Sequence, residues 1–269
     1  MGCVMKTDRY SRQSFLGPDA QERIEQATIG VVGLGGGGSQ VVQQLAHIGF
    51  QRYVLYDHDA VEDTNLNRLI GATEADETAR RPKTEVAERL IRGLQSQAQI
   101  ASFQQRWQDE PLPLRACDLV FGCVDGAAAK RDLEAMMRRY LIPYIDIGLD
   151  VHQASGEPPI MAGQVALSMP GDLCLHCLGV ITDATLATEG RRYGDAGPRP
   201  QVVWANGVLA STAVGLAVDL LTDWTGRLRR AVYLEYFGND GTVKPSPRLA
   251  YAPSACRHYP LTEVGDPAI

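Results

Sequence analysis

The sequence predicts an α/β protein with a Rossmann-like, doubly wound, mainly parallel sheet, elaborated by a C-terminal helix and an antiparallel hairpin. Two observations carry this prediction. Short apolar runs alternate with longer helical patterns, which is the order of βαβ units, and a glycine-rich turn directly follows the first apolar run. With 269 residues, 45% of them hydrophobic, the chain is long enough to bury the core of one such domain.

The elements are predicted in the following order. A polar amphipathic stretch at 11–26 indicates a helix ahead of the sheet. Apolar runs then predict strands at 28–33, 53–57, 99–103, 119–122 and 144–148. Apolar positions with helical spacing predict helices between them at 39–48, 84–94 and 127–139. Strands joined by such helices pair in parallel.

The C-terminal part is predicted to be less regular. A strand at 164–168 precedes residues 182–201, which contain several glycines and prolines without periodicity and therefore predict a mobile crossover loop. The run Asn239-Asp240-Gly241 is a strong hairpin signal. The last elements are accordingly one helix and two strands joined by that turn, at 205–224, 230–237 and 242–249.

Charge and hydropathy argue against a nucleic-acid-binding, a secreted and a membrane-spanning protein. The formal net charge of −6 disfavours nucleic-acid binding, which usually needs a basic face. The start of the chain has no long apolar segment behind a basic one, so we expect no secretory signal or transit peptide and a cytoplasmic location. The most apolar helix, 205–221, carries Asn206 and Asp219, which favours burial in the protein over a membrane.

The glycine-rich turn at 31–39 reads Val-Val-Gly-Leu-Gly-Gly-Gly-Gly-Ser. Gly33, Gly35 and Gly38 fit the pattern G-x-G-x-x-G, which permits a tight turn, close approach to a phosphate and close packing of helix on strand. Gly36 belongs to the same turn. Backbone amides at the start of the next helix would face the anion. The turn predicts a nucleotide site, which dehydrogenases, flavoproteins and adenylating enzymes all use.

Polar residues after the second strand distinguish between NAD and ATP as the bound nucleotide. Asp57 ends that strand, at the position where a carboxylate reaches ribose hydroxyls. Asp59, Asn65, Arg68 and Lys83 follow. An enzyme that holds NAD has little use for cations there, whereas one that cleaves a triphosphate must neutralise the β- and γ-phosphates. These residues favour ATP.

A further carboxylate lies at the same predicted edge of the sheet. Asp125 follows the strand at 119–122, on the side where ligands bind in such sheets. A carboxylate in that place can hold Mg²⁺ against the phosphates of ATP.

We therefore predict one domain, 1–269, in four parts. They are an N-terminal helical arm, a nucleotide-binding core, a crossover loop and a C-terminal helix with strands, at 1–27, 28–180, 181–201 and 202–269.

Six motifs follow one another along nearly the whole chain. They are Arg9-Tyr-Ser-Arg-Gln13, the glycine turn, Asp57-x-Asp59 with Asn65-Leu-Asn-Arg68, Pro82-Lys83, Val124-Asp125-Gly126 and Cys174-x-x-Cys177. In this order they resemble the ThiF/MoeB/HesA family, the bacterial relatives of ubiquitin-activating enzymes. The resemblance implies MgATP-dependent adenylation of the C-terminal carboxylate of a small ubiquitin-like or sulfur-carrier protein with a flexible tail, releasing pyrophosphate.

The resemblance also implies roles for single residues. Asp57 would bind ribose, Asn65, Arg68 and Lys83 the phosphates, and Asp125 the metal. No side-chain nucleophile is needed, since the substrate carboxylate itself attacks the α-phosphorus and the enzyme supplies charge and alignment.

Assembly as a homodimer is expected from two segments. By resemblance, Arg12 would cross the dimer interface to the ATP of the partner subunit. The apolar helix at 205–221, rich in small residues, and the segment 9–13 together suggest a twofold dimer with composite ATP sites.

Zinc is a further expectation, although the family's second Cys-x-x-Cys pair is missing. Only Cys256-Arg-His258 stands in its place. Because residues two apart in an extended segment point to the same side, Cys256 and His258 can complete a Cys₃His tetrahedron with Cys174 and Cys177. The alternatives are a metal-free cysteine pair, a redox dithiol, or His176 as a ligand.

No covalent thioester with the carrier is expected on this chain. The segment 178–255 contains no cysteine, although many relatives place an acceptor thiol there. Cys117 and Cys123 flank or end a predicted core strand, so we expect both to be packed against the sheet with a raised thiol pKa, and Cys3 lies near the N-terminus.

Other functions compatible with the pattern are adenylation of a different carboxylate and NAD-dependent oxidoreduction. A peptide C-terminus, or the threonylcarbamoyl group of a modified tRNA, would supply the carboxylate. The acidic chain disfavours the tRNA, and an oxidoreductase leaves Arg68 and Lys83 unexplained.

Overall fold

The computed structural model describes residues 9–153, 156–191, 200–227, 232–260 and 264–265. The predictions that concern Cys3, residues 192–199 of the crossover loop and the first two residues of the strand at 230–237 lie outside the described residues.

One eight-stranded sheet organises the described part of the chain, in the order β3-β2-β1-β4-β5-β6-β7-β8. The strands are β1 (Thr28–Val32), β2 (Arg52–Tyr56), β3 (Gln99–Phe103), β4 (Leu119–Gly122), β5 (Tyr144–His152), β6 (Ile160–Ser168), β7 (Val232–Phe237) and β8 (Thr242–Pro245). The first five strands in this order, from β3 through β2, β1 and β4 to β5, pair in parallel. β6, β7 and β8 then extend the sheet, each antiparallel to the strand before it. The predicted fold class is confirmed.

Helices cover both faces of this sheet. They are α1 (Ala20–Gln26), α2 (Gly36–Ile48), α3 (Glu74–Thr78), α4 (Lys83–Leu94), α5 (Ala127–Arg139), α6 (Leu175–Leu178), α7 (Asp183–Arg191) and α8 (Val203–Thr222). α2 contacts α4 and α8, and α8 contacts β5 and β6. α5 contacts β4, β5 and α7. The order in which strands are added reverses at β1, with β2 on one side and β4 on the other, so a crevice opens there at the carboxyl ends of the strands.

Several predicted elements differ from the structure. β5 extends four residues beyond the predicted 144–148, and β6 begins four residues before the predicted 164–168. The prediction of one helix at 11–26 is wrong, because the segment forms a 3₁₀ helix, Ser11–Leu16, and then α1. Gly17, whose φ of +115° is not helical, and the proline after it separate the two. The helix predicted at 39–48 begins three residues earlier, within the glycine run. The last strand ends at Pro245, since proline cannot donate to the ladder, and a 3₁₀ helix, Pro247–Tyr251, follows.

The crossover loop is also more regular than predicted. Its first half forms α7, which carries no proline and docks on α5. The prediction of a structureless loop over 182–201 is therefore wrong for Asp183–Arg191. Glycine and proline concentrate after this helix, so averaging over the whole segment hides the helical part.

One described helix, α8, is long and apolar enough to cross a membrane by length and composition alone. It packs on α2 and on strands β5 and β6, and Asn206 and Asp219 are buried within it. These contacts are those of a core helix, as the sequence predicts.

Candidate functional site

The glycine turn forms the floor of the site. Its glycines are required, or leave the backbone open, for a different reason at each position. Gly33 has φ of +89°, and a Cβ there would clash with the carbonyl of Cys123. A Cβ on Gly38 would clash with the carbonyl of Gly33. Gly35 caps α2, and a Cβ there would meet nothing within 4 Å because it faces an open cavity. The turn therefore presents bare backbone to a ligand at the start of α2.

Asp57 shapes the turn from the end of β2. Its Oδ2 accepts a hydrogen bond from the Leu34 amide at 2.6 Å, and its Oδ1 accepts one from the Asp59 amide at 2.8 Å. The residue is buried. Each carboxylate oxygen keeps a second lone pair, which leaves capacity to accept from ribose hydroxyls.

Lys83 and Asp59 form an ion pair at the rim of the turn. The Lys83 Nζ donates to the Asp59 Oδ2 at 2.7 Å. The Lys83 side chain is mostly buried, whereas half of the Asp59 side chain is exposed. Burial raises the pKa of Asp59, but the hydrogen bond and charge of Lys83 outweigh this effect, so that the pKa lies below its ordinary value. A buried ammonium next to the turn is suited to binding phosphate.

Asn65 and Arg68 lie on the segment between β2 and α4. Asn65 is buried, and its Oδ1 accepts from the Glu62 amide at 3.2 Å, which fixes the start of a short 3₁₀ turn. The Arg68 Nη1 donates to the carbonyl of Thr64 and to the Asn67 Oδ1. The Arg68 guanidinium is thus held at this turn without a carboxylate partner among the described residues.

Asp125 stands at the start of α5, opposite the glycine turn. It is exposed and precedes Gly126, whose φ of +91° favours glycine. The Glu189 Oε2 on α7 accepts a hydrogen bond from the Ala128 amide at 2.9 Å, and a Cβ on Gly126 would clash with the Glu189 carboxylate. The crossover helix is therefore anchored directly beside Asp125.

Two adjoining cavities join these residues. The first encloses about 320 Å³ and the second about 390 Å³. Asn65, Arg68 and Gly36 line the first cavity alone, and Asp57, Gly33 and Trp107 line the second alone. Both are lined by Gly35, Asp59, Lys83, Cys123, Val124 and Asp125. The shared residues form the boundary between the first cavity, which is the more polar, and the second, which is the more apolar.

Two of the residues predicted for the nucleotide site stand apart from these cavities. Gly38 is buried under the turn and serves packing. Arg12 is exposed in the N-terminal 3₁₀ helix and is not among the residues that line either cavity. Within one subunit, Arg12 therefore does not join the site.

Several lining residues were not predicted from the sequence. In the first cavity they include Gln201, Asn206 and the strand segment 147–149, and in the second the segment 105–108. The sequence carried a usable signal for Asn206, because it places an amide near the start of an otherwise apolar helix. In the structure this amide is buried on the first turn of α8. The segment 105–108 follows β3 and carries no recognisable motif.

The two cysteines of the core strand region differ in position. Cys117 is buried, as expected, whereas Cys123 is only partly buried and lines both cavities. Burial raises the pKa of each thiol to about 12. Both are therefore protonated near neutral pH, and protonated thiols are poor nucleophiles.

The four residues predicted to bind zinc converge at one place. The ligand atoms of Cys174, Cys177, Cys256 and His258 all lie within 4.8 Å of one another. The His258 Nδ1 lies 3.3 Å from the Cys174 Sγ and 3.4 Å from the Cys177 Sγ, and the two sulfurs are 3.6 Å apart. Tetrahedral zinc, with bonds of about 2.3 Å to sulfur and about 2.0 Å to nitrogen, requires separations close to these. His176 instead stacks on His258, at 4.9 Å between ring centroids.

α5 links this cluster to the nucleotide side. Buried Glu134 accepts from the Leu175 amide at 2.7 Å, and burial raises its pKa. The Arg138 guanidinium donates to the carbonyls of Asp172 and Leu173 and to the Ser168 hydroxyl. The loop before Cys174 is thus fixed to the helix that begins beside Asp125.

Together these features define a nucleotide-binding α/β protein whose ligand edge combines a glycine turn, cations and carboxylates. The model of the ThiF family matches residues 8–257. The chain belongs to the ThiF family, as its motifs predicted.

Curated relatives with named activities match part of the chain. The sulfur carrier protein ThiS adenylyltransferase of Escherichia coli is 33% identical over 132 residues, which cover 47% of this chain and 52% of the relative. The sulfur carrier protein adenylyltransferase of Thermus thermophilus is 36% identical over 182 residues, which cover 64% of this chain and 63% of the relative. The chain thus covers less than two thirds of the length of either relative.

Solved structures show the same fold. The microcin C7 biosynthetic enzyme MccB, in complex with N-formylated MccA, matches with a TM-score of 0.74 and 19% identity, over 89% of this chain and 72% of that one. At this identity the likeness concerns the fold and confirms the Rossmann-like architecture.

Proposed function

We propose that this protein is an adenylyltransferase that activates a C-terminal carboxylate with MgATP and releases pyrophosphate. The observation that carries the proposal is the boundary between the two cavities, where Gly35, Lys83 and Asp125 meet. With the nucleoside in the second cavity beside Asp57, the triphosphate would extend from this boundary toward Arg68 in the first. The family of the chain supports the same assignment.

Each polar residue has a role that its position supports. Asp57 would accept from ribose hydroxyls, and backbone amides after Gly35 would donate to phosphate. Lys83 and Arg68 would balance the charge of the β- and γ-phosphates, with Asn65 donating from its amide. Asp125, exposed at the boundary, would hold Mg²⁺, and Asp59 is the other carboxylate that lines both of these cavities.

The chemistry then needs charge and geometry alone. A carboxylate oxygen of the substrate attacks the α-phosphorus and forms the mixed anhydride, while the bond from the α-phosphorus to the bridging oxygen breaks. The electron pair leaves with pyrophosphate, whose growing charge Lys83, Arg68 and Mg²⁺ would stabilise. The ion pair with Asp59 holds the Lys83 ammonium in place before ATP binds.

The substrate class that we propose is a small ubiquitin-like or sulfur-carrier protein with a flexible C-terminal tail. The named activities of the Escherichia coli and Thermus thermophilus relatives support this class. The first cavity, at about 320 Å³, has room for a narrow tail beside a triphosphate but not for a folded domain. A tail that reaches beyond its folded domain therefore fits the site.

We further propose a homodimer in which Arg12 acts on the partner's ATP. Arg12 is exposed and outside its own subunit's cavities, which is consistent with such a role. Nearby apolar side chains lie on the surface: Phe15 is 67% and Trp224 46% exposed, and their rings stack edge to face. α8 adds exposed Trp204 and Val208, one turn apart.

Structural zinc is proposed at the cluster of Cys174, Cys177, Cys256 and His258. The donor set and its separations support it. When bound, zinc would supply a crosslink between the α6 loop and the C-terminal segment. We also propose that no thioester forms on this chain, because α7 and the rest of the segment 178–255 carry no cysteine and the Cys123 thiol is protonated.

Magnesium-dependent exchange of pyrophosphate into ATP tests the proposal. The assay compares no acceptor, the carrier ThiS, carriers encoded beside this gene, and a synthetic peptide acid. We expect exchange only with an acceptor carrier, and a loss of at least about 100-fold for Asp125→Ala. Asp132→Ala, on the exposed face of α5, is the matched control. Exchange that requires no carboxylate, or is undiminished in Asp125→Ala, would contradict the assigned roles.

A further inference from the structure

The placement of ATP in the proposed function, on which this inference rests, indicates which wall of the site a substrate tail would pass as it enters. If the α-phosphate lies at the boundary and the nucleoside fills the second cavity, the attacking carboxylate approaches from the first cavity. The lining residues that belong to the first cavity alone, and that lie on the sheet, on α8 or just before α8, are Ile147, Gly148, Leu149, Gln201 and Asn206.

Asn206 is the polar residue of this wall that burial and hydrogen bonding single out. It is 3% exposed and lies on the first turn of α8. Its Nδ2 donates to the Val202 carbonyl at 3.1 Å. Its Oδ1 accepts none of the hydrogen bonds found among the described residues, and the residue lines the first cavity. An amide oxygen that opens onto a cavity is available to accept a hydrogen bond from a donor on a ligand.

The carboxamide is also held firmly against the glycine turn. A Cβ built on Gly36 would lie 2.5 Å from the Asn206 Nδ2, and one on Gly37 would lie 3.7 Å from the Oδ1. Helix α8 packs along α2, so both sides of this contact are parts of the rigid core. This amide oxygen is therefore a fixed acceptor beside the phosphate-binding turn.

The kind of donor follows by elimination within the proposed complex. Phosphate oxygens are acceptors, so the triphosphate offers no N–H or O–H to this oxygen. The ribose hydroxyls and the adenine amine would lie in the second cavity, which Asn206 does not line. The attacking carboxylate is itself an acceptor. The nearest donor that a peptide tail carries is the backbone N–H of its last residue.

We infer that the Asn206 Oδ1 accepts a hydrogen bond from the backbone N–H of the last residue of the substrate, and so orients the terminal carboxylate toward the α-phosphorus. The site then selects an acyl-amino acid, such as the end of a protein or peptide, over a simple carboxylic acid. Asn206 is in this account a substrate-binding residue of the proposed adenylation site.

Two synthetic probes test this contact without a natural carrier. The first is acetyl-glycyl-glycine joined to adenosine through a sulfamate, which imitates the acyl-adenylate. The second is the same molecule with the last amide N–H replaced by an ester oxygen. Calorimetry measures their dissociation constants for the wild type, Asn206→Ala, Asn206→Asp and the control Thr212→Ala on the same helix. Thermal melts establish that each variant folds.

We expect the wild type and Thr212→Ala to bind the amide probe about tenfold more tightly than the ester probe. The difference should vanish in Asn206→Ala and persist in Asn206→Asp, which keeps an acceptor oxygen. An equal ratio in wild type and Asn206→Ala, or no preference in the wild type, would overturn the inference while leaving adenylation intact. Failure of both probes to compete with ATP would instead overturn the proposed function and this inference together.

Discussion

The Lys83 ammonium lies 2.7 Å from the Asp59 carboxylate, at the boundary between the two cavities of the site. The pair keeps a mostly buried cation in position and lowers the pKa of Asp59 against the opposing effect of burial. Lys83 begins α4, and Asp59 follows β2, so the pair also ties the two elements together. In the proposed function, this cation is therefore already in position when ATP binds.

The first prediction concerns stability of the segment between Arg68 and Lys83. Asp76 is 2% exposed; hydrogen bonds from Arg89 most of all, and from Thr73 and Arg81, hold its pKa well below the ordinary value although burial opposes this. We expect Asp76→Asn to lower the free energy of unfolding by about 2 kcal/mol near neutral pH.

The pH dependence of this loss has a definite sign. Because the folded pKa of Asp76 is depressed, its stabilisation is fully present above the unfolded pKa of about 4 and is lost as pH falls through the folded value. The difference in melting temperature between wild type and Asp76→Asn should therefore shrink below about pH 4. Asp132→Asn, exposed beside Arg131, is the control. A difference that stays constant into acid would show that the charge of Asp76 is not the cause.

The second prediction concerns zinc. Purified protein should contain stoichiometric zinc by elemental mass spectrometry, and Cys177→Ser or His258→Ala should lose it, because each removes one of four tetrahedral ligands. A chelator should lower the melting temperature of the wild type but not of these variants. Cys117→Ala, a cysteine outside the cluster, should keep the metal. Wild type that stays metal-free after incubation with zinc would contradict the site.

The third prediction is that enzyme, carrier and MgATP yield no enzyme–carrier thioester. The Cys123 thiol lines both cavities, but burial raises its pKa to about 12, so that the nucleophilic thiolate is scarce near neutral pH. Denaturing gels with and without reductant, together with intact mass spectrometry, should show only free or adenylated carrier. A reductant-sensitive adduct that disappears in Cys123→Ala would make that residue catalytic.

The fourth prediction concerns the dimer. Arg12→Ala and Lys83→Ala subunits should each be weakly active alone, since each lacks a cation that the proposed ATP site needs. Mixed dimers should regain activity because some of their sites hold both residues. Exchange of pyrophosphate into ATP measures the recovery, with each variant mixed with itself as the control. A mixture no more active than its components would remove Arg12 from a role across the interface.

The sheet and the residues gathered at its ligand edge could be predicted from the sequence for a physical reason. Parallel strands are buried runs, and the carboxyl ends of β1, β2 and β4 meet at one edge, so Gly35, Asp57 and Asp125 had to be close. The cysteine cluster was predicted because zinc fixes the spacing of its ligands.

Other parts of the site depend on long-range packing that no local pattern encodes. Asn206 reaches the glycine turn because α8 packs along α2, although 170 residues separate it from Gly36. The helix α7 was missed because its stability comes from docking on α5, with Glu189 accepting from the Ala128 amide, and its own amphipathic pattern is weak. Helix formation of this kind is decided by tertiary contact.

The most direct test of the account follows the oxygen atoms of the substrate. The acceptor that supports exchange is labelled with heavy oxygen in its terminal carboxylate, and the anhydride formed with MgATP is intercepted at its carbonyl by hydroxylamine. If the carboxylate attacks the α-phosphorus, mass spectrometry should find one heavy oxygen atom in the released AMP, and Asp125→Ala should abolish its formation. Unlabelled AMP, or heavy oxygen in inorganic phosphate with ADP as the other product, would contradict adenylation.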